Sequence, residues 1–219
     1  IQLTYNVKNR VGDGASERTD SGLSYFGLKF VRRCNEARVI VDCSHTGYRT
    51  TMDAIETSNQ PVVFSHANPK AVKSSPRNIT DEQIKAVAET GGLVGAVGYP
   101  AFVSDSIRPT LDQFVEHIDY YVQLTGINHV GIGMDYYLGQ HPVADLNEAR
   151  AMYEASVDSG RWRRDTYPPP PYYYPEGIET PQGMPNLTER LLQRDYTTED
   201  VRKILGGNWM RVFKEVWGG

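Results

Sequence analysis

Short apolar runs alternate with amphipathic stretches along most of this chain. The runs cover residues 2–5, 38–43, 62–65, 93–97 and 130–133, and each stops abruptly at polar or glycine-containing sequence. Brief continuous runs of this kind, rich in Val and Ile, predict strands buried on both faces. Between them, residues 22–35 ("GLSYFGLKFVRRCN"), 48–58, 80–90 and 110–125 place apolar side chains three and four apart, as in Leu111, Phe114, Val115, Ile118 and Val122. That period predicts helices with one buried face. "TDEQ" at 80–83 has the pattern of a capping box, with Thr80 as cap and Gln83 reaching back. Strand–helix alternation predicts an α/β fold whose parallel sheet is joined by helical crossovers.

The rhythm breaks over residues 136–185, which contain "TYPPPPYYYPEG". Consecutive prolines cannot join a helix interior, so this stretch reads as a long loop in extended geometry. Its tyrosines predict packing, either against the mouth of a site or against a second subunit. Helical patterning returns in "NLTERLLQRD" and in "YTTEDVRKILGGNWMRVFKEVW". There Thr197 or Thr198 can cap, Gly206 and Gly207 interrupt, and Asn208 can cap the next helix. Trp209, Val212, Phe213 and Val216 form an apolar stripe, read as core.

Two of the strands end in histidine. "VIVDCSHTG" delivers His45 and "PVVFSHANP" delivers His66. Consecutive parallel strands present both imidazoles at one end of the sheet, the end where β/α barrels keep their active sites. Two neutral imidazoles there are a ready pair of metal ligands, or else two satisfied strand-end residues. Asp42 stands just before and can orient a ligand or serve as a solvated charge. Asp135, in "HVGIGMDYYLG", ends another strand at the same rim; it can carry a proton beside a metal-bound water or cap its loop. Arg77, in "SSPRNIT", offers a planar fork for a carboxylate, or lies on the surface. Tyr5 can donate to an oxyanion or pack, and Tyr99 can line the rim. His117 and His129 read as structural. His141 falls in the long loop.

Composition narrows the classes. With 219 residues, 39% hydrophobic content and no apolar run of membrane-spanning length, the chain reads as globular, with no membrane span. The net charge of −4, with both signs mixed, gives no footprint for nucleic acid. "RVGDGASERTDSG" lacks the context of a phosphate loop, which excludes nucleotide binding. Cys34 and Cys43 have no disulfide-framework spacing, which favours a reducing, cytoplasmic compartment. Ile1 opens what reads as a strand interior, so the chain is expected to be the later part of a longer protein.

In order along the chain, "LTYN", "GLSYFG", "VIVDCSHTG", "PVVFSHANP", "PRNITDEQI", "GIGMDY" and "LGGNWMRVF" resemble the membrane (renal-type) dipeptidases, peptidase family M19, in its microbial branch. The resemblance implies a (β/α)8 TIM barrel of metallo-dependent hydrolase type. It implies two zinc ions sharing a bridging water and a bridging glutamate, dipeptide substrates with D-residues tolerated at the C-terminal position, and a homodimer. It assigns His45 and His66 to the second zinc, Arg77 to the substrate carboxylate, Asp135 to proton transfer, and Tyr99 to the neighbourhood of the substrate. The family's His-x-Asp pair and bridging Glu have no counterpart here and are expected before Ile1. Residues 1–219 would then be the C-terminal portion of the barrel, about strands 4 to 8, with a separate chain or segment supplying the first strands. Tyr5 stands where renal-type enzymes carry a carbonyl-polarising histidine. Two other readings stay open: a non-catalytic barrel scaffold or binding module with an incomplete metal site, and a metal-dependent amide or lactone hydrolase.

Overall fold

Helix α1 (Tyr25–Glu36) starts where Ser24 accepts a hydrogen bond from the Gly27 backbone, and it packs Val31 and Cys34 inward. It leads into β1 (Val41–Asp42), α2 (Tyr48–Thr57), β2 (Val62–Ala67), α3 (Asp81–Glu89) and β3 (Leu93–Ala96). Then follow α4 (Pro100–Val103), α5 (Leu111–Thr125), β4 (Val130–Ile132), α6 (Leu146–Asp158), α7 (Met184–Gln193), α8 (Thr198–Arg202) and α9 (Asn208–Trp217). The structure, a computed structural model, describes residues 1–136 and 145–218; His141 lies outside them. Among the described residues no helix is long and apolar enough to cross a membrane.

The strands form one parallel sheet in the order β1-β2-β3-β4, so each α-helical crossover returns the chain to the next position. Alternation along the strands sorts side chains onto two faces. Phe64 and Val94 join the main core with Ile84 of α3 and Phe114, Ile118 and Tyr121 of α5. Val63 and Leu93 point the other way, into a second cluster with Val212 and Val216 of α9.

β2 carries one extra residue. Phe64 pairs with Val94 but Ala67 pairs with Ala96, so Ser65 and His66 occupy a bulge. Bulges bend a strand and re-aim a side chain, and this one lies at the histidine.

Four sequence expectations need correction. Residues 2–5 do not form a strand; Gln2 makes a single parallel bridge to Asp42, and the chain turns away at Asn6, whose φ is 61°. The strand expected over 38–43 shrinks to Val41–Asp42, because Arg38, at φ 54°, still belongs to the turn that ends α1. The long loop holds a helix, α6, whose first turn is capped by Asp145 accepting from Asn147 and Glu148 and whose Tyr153 is buried. Asn208 does not cap α9 but begins it, and its side-chain amide donates to the carbonyls of Ile127 and Val130 at 2.8 and 2.7 Å. The double glycine interrupts the helical run as expected: Gly206 leaves helical geometry (φ 169°, ψ −20°), and the kink there separates α8 from α9.

Candidate active site

His45 and His66 converge as the strand pattern predicts. Their Nε2 atoms lie 2.8 Å apart, one at the end of β1 and the other in the β2 bulge. Each ring is held from behind. His45 Nδ1 is 2.7 Å from Asn6 Oδ1. His66 Nδ1 is 2.8 Å from Ser65 Oγ, which donates to Asp42 Oδ2 at 2.6 Å. Asp42 Oδ1 also accepts from the Ser44 and Ser65 backbones, both at 2.9 Å, so Asp42 is the orienting group and not a solvated charge.

These partners fix the protons. Asn6 Nδ2 donates to the Arg161 carbonyl at 3.1 Å, which leaves Oδ1 as the acceptor for His45 Nδ1–H. Ser65 gives its proton to Asp42, so its oxygen accepts from His66 Nδ1–H. Both Nε2 lone pairs therefore face each other across 2.8 Å. Two lone pairs at that distance repel unless a cation lies between or beside them, and neutral imidazoles are good zinc ligands. The donor set fits a divalent metal. Burial holds His45 well below the usual imidazole pKa, with the Arg77 charge and His66 adding to the effect. Burial also lowers His66, against the upward pull of the Asp135 carboxylate. Both rings are thus neutral, as ligation requires. Among the described residues, no group of three or more His, Cys, Asp or Glu side chains gathers as a metal site.

Arg77 is 3% exposed, not a surface residue. Its Nε donates to Tyr167 Oη at 3.0 Å and its guanidinium lies 5.3 Å from the Phe102 ring centroid. Among the described residues no carboxylate pairs with it. A buried cation without an acid is costly, and the arrangement calls for an anion from outside. A cavity of about 400 Å³ adjoins His45 and Arg77, with Lys70, Gln83 and Asp20 on its walls.

Tyr5 stacks on His45 with ring centroids 4.2 Å apart and remains 42% exposed. Its oxygen accepts from Trp162 Nε1 at 3.1 Å, leaving its own proton free to donate. Asp135 has φ 60° and His45 φ 65°. Non-glycine residues in the left-handed region are uncommon, and such conformations cluster at functional sites. The Asp135 carbonyl accepts from Tyr174 Oη at 2.9 Å, which pins the turn. Tyr99 is buried in an aromatic cluster with Phe102, Tyr167, Tyr172 and Tyr174; it supports the wall next to Arg77. His117 Nε2 and His129 Nδ1 donate to the backbone carbonyls of Val103 and Gly92, away from the pair. Sequence reading missed Asn6, Ser65, Trp162 and Tyr167. Their only signals were adjacency, for Asn6 and Ser65, and membership of the aromatic-rich loop, for the other two.

A model of the membrane dipeptidase family, peptidase family M19, matches residues 1–155 and 172–217. An uncharacterized dipeptidase of Schizosaccharomyces pombe is 32% identical over 216 residues, which is 97% of this chain and 45% of that protein. The crystal structure of an amidohydrolase from Pseudomonas aeruginosa superposes with a TM-score of 0.87 at 38% identity, over 100% of this chain and 64% of that one. A metallopeptidase from Rhodobacter sphaeroides, liganded with a phosphinate mimic of the dipeptide L-Ala-D-Ala, shares the fold with a TM-score of 0.78 at 23% identity, over 99% of this chain and 55% of that one. The chain spans about half the length of the yeast relative. With nearly all of its length matched, the chain belongs to peptidase family M19, the membrane dipeptidases.

Proposed function

We propose that this chain supplies one zinc-binding imidazole pair and the substrate anchor of a dipeptidase built on a (β/α)8 barrel. Residues 1–219 would be its C-terminal portion. The barrel reading is supported by four sequential parallel neighbours whose C-terminal ends carry the chemistry. The dipeptidase reading rests on family membership and on one observation: a buried Arg77 with no acid partner among the described residues, next to two neutral imidazoles.

His45 and His66 would hold zinc through Nε2. Bound zinc polarises a carbonyl and lowers the pKa of a coordinated water. Arg77 grips the free carboxylate with the planar edge of its guanidinium, which restricts the site to short substrates with a free C-terminus. Asp135 takes the proton of the attacking water and passes it to the leaving amine. Tyr5, accepting from Trp162, donates its own proton toward the oxygen of the scissile carbonyl. Tyr99 backs the wall that carries Arg77.

The test is a comparison of dipeptides with free and amidated C-termini on the zinc-loaded protein. Arg77→Ala is expected to raise KM for the free acid by about a hundredfold, the weight of a charge-assisted bidentate contact. Equal cleavage of amidated dipeptides by the parent protein would remove Arg77 from carboxylate binding.

A second reading is favoured by the lack of a three-ligand cluster among the described residues: the chain keeps the barrel shell as a non-catalytic module with an incomplete metal site. Elemental analysis separates the two. Stoichiometric zinc in the purified protein supports the enzyme, and metal-free protein after growth in zinc supports the module.

A further inference from the structure

Residues 161–167 cross the mouth of the site as a strap, and three of them touch site side chains. The Arg161 carbonyl accepts from Asn6 Nδ2. Trp162 donates to Tyr5. Tyr167 reaches furthest in: its ring is buried and stacks on Trp162 with centroids 4.7 Å apart and planes 9° from parallel. Its hydroxyl lies 3.0 Å from Arg77 Nε and 3.1 Å from Asn6 Oδ1.

The protons run one way along this chain of contacts. Arg77 Nε can only donate, so Tyr167 Oη accepts from it and gives its own proton to Asn6 Oδ1. The same Oδ1 accepts from His45 Nδ1, and Asn6 cannot turn over because its Nδ2 is committed to Arg161. One phenol oxygen thus touches both the guanidinium and the amide that orients a metal-facing ring. We propose that Tyr167 is a positioning residue that couples the Arg77 anchor to His45 through Asn6, setting the guanidinium's rotation and the placement of the amide behind the imidazole together. The inference rests on the reading of Arg77 as anchor and His45 as ligand. It adds a link between carboxylate recognition and metal affinity, carried by a residue far along the chain in the proline- and tyrosine-rich segment.

Tyr167→Phe keeps the ring and its stacking and removes only the hydroxyl. Tyr153→Phe is the matched control, since Tyr153 Oη donates to the Tyr167 carbonyl from the same cluster but touches neither Arg77 nor Asn6. In Tyr167→Phe, zinc affinity by chelator competition should fall about tenfold, the low end of what losing a ligand-orienting partner costs. KM for a free-acid dipeptide should rise with kcat changed less, and the Arg77 Nε proton, followed by NMR in metal-free protein, should lose its protection from exchange. Tyr153→Phe should leave all three at parent values. Unchanged zinc affinity and unchanged Arg77 protection in folded Tyr167→Phe would overturn the link, as would equal changes in Tyr153→Phe. If the parent protein neither bound zinc nor cleaved dipeptides, the functional reading would fall while Arg77 protection still decided the link.

Discussion

The orientation of His66 depends on a hydroxyl. Ser65 stands between the Asp42 carboxylate and the imidazole, accepting from one nitrogen and donating to the acid. Partners that fix the far nitrogen of a metal-facing histidine contribute strongly to affinity because they select the tautomer and stop the ring from turning. Ser65→Ala is therefore expected to weaken zinc binding by about 10- to 100-fold and to leave the unfolding midpoint close to that of the parent protein. A titration against a competing chelator measures it; parent-like affinity would mean that the bulge alone holds the ring. Residues of this kind divide by legibility. The meeting of His45 and His66 at one rim could be read because two consecutive β-branched runs each end in a histidine. Arg77 was ambiguous until its burial was known. Asn6 and Tyr167 carried only the signals of adjacency and of the tyrosine-rich loop, because each works through partners 39 to 161 residues away and no local pattern marks such a contact.

At the scale of elements, capped helices were the most legible feature. Thr80 and Gln83 form the reciprocal cap that "TDEQ" announces, and Gln83 also donates to Thr51 of α2, so the cap ties α3 to its neighbour. The strand ends were less legible, because periodicity does not reveal a bulge. The β2 bulge pushes the Ser65 carbonyl toward β3 and β4, and glycine at 95 and 133 makes room for it. A Cβ at position 133 would lie 1.8 Å from that oxygen, and at position 95 it would lie 2.3 Å away. The obstacle is backbone, which cannot swing aside as a side-chain tip can. Gly133→Ala is therefore expected to destabilise by about 1–3 kcal/mol, the range for overpacking a filled interior, and to misplace His66 in the process. Chemical denaturation and zinc titration on the same sample check both parts. A variant as stable as its parent, with normal zinc affinity, would show that the bulge is not held by this contact. Helix α6 was missed for a different reason. The prolines that follow dominate the composition of its segment, while its own signals are only an Asp145 cap and a single fully buried Tyr153.

Across the whole molecule, the C-terminal helix closes what the sheet leaves open. Gly133 donates to Ala96, so in β4 the alternate residues Val130 and Ile132 turn their carbonyls away from β3. Asn208 and Trp209 meet those carbonyls at 2.7 and 3.1 Å. Unpaired strand edges invite association, and here side chains of α9 occupy the edge positions. On the other side of the sheet, α5 carries His117 into the main core, where Nε2 donates to the Val103 carbonyl at 2.8 Å and Nδ1 has no partner among the described residues. Burial outweighs that one hydrogen bond and lowers the His117 pKa to about 4. An unfolded chain would protonate the same ring near pH 6.5. A folded-state pKa below the unfolded one means that protons bind preferentially to the unfolded chain. The contribution is fully present above about pH 6.5 and is lost as pH falls toward about 4, below which no more is lost. Between pH 7 and pH 5 this group alone should remove about 2 kcal/mol of stability. His45 and His66 are lowered in the same direction, so the parent slope is not diagnostic by itself. The diagnostic comparison is with His117→Gln, which keeps a donor for Val103 and does not titrate. Urea unfolding of both proteins at the two pH values should show a shallower acid loss in the variant by about that amount; equal losses would mean that His117 reaches water on the acid side and is not the buried neutral ring its hydrogen bonds describe.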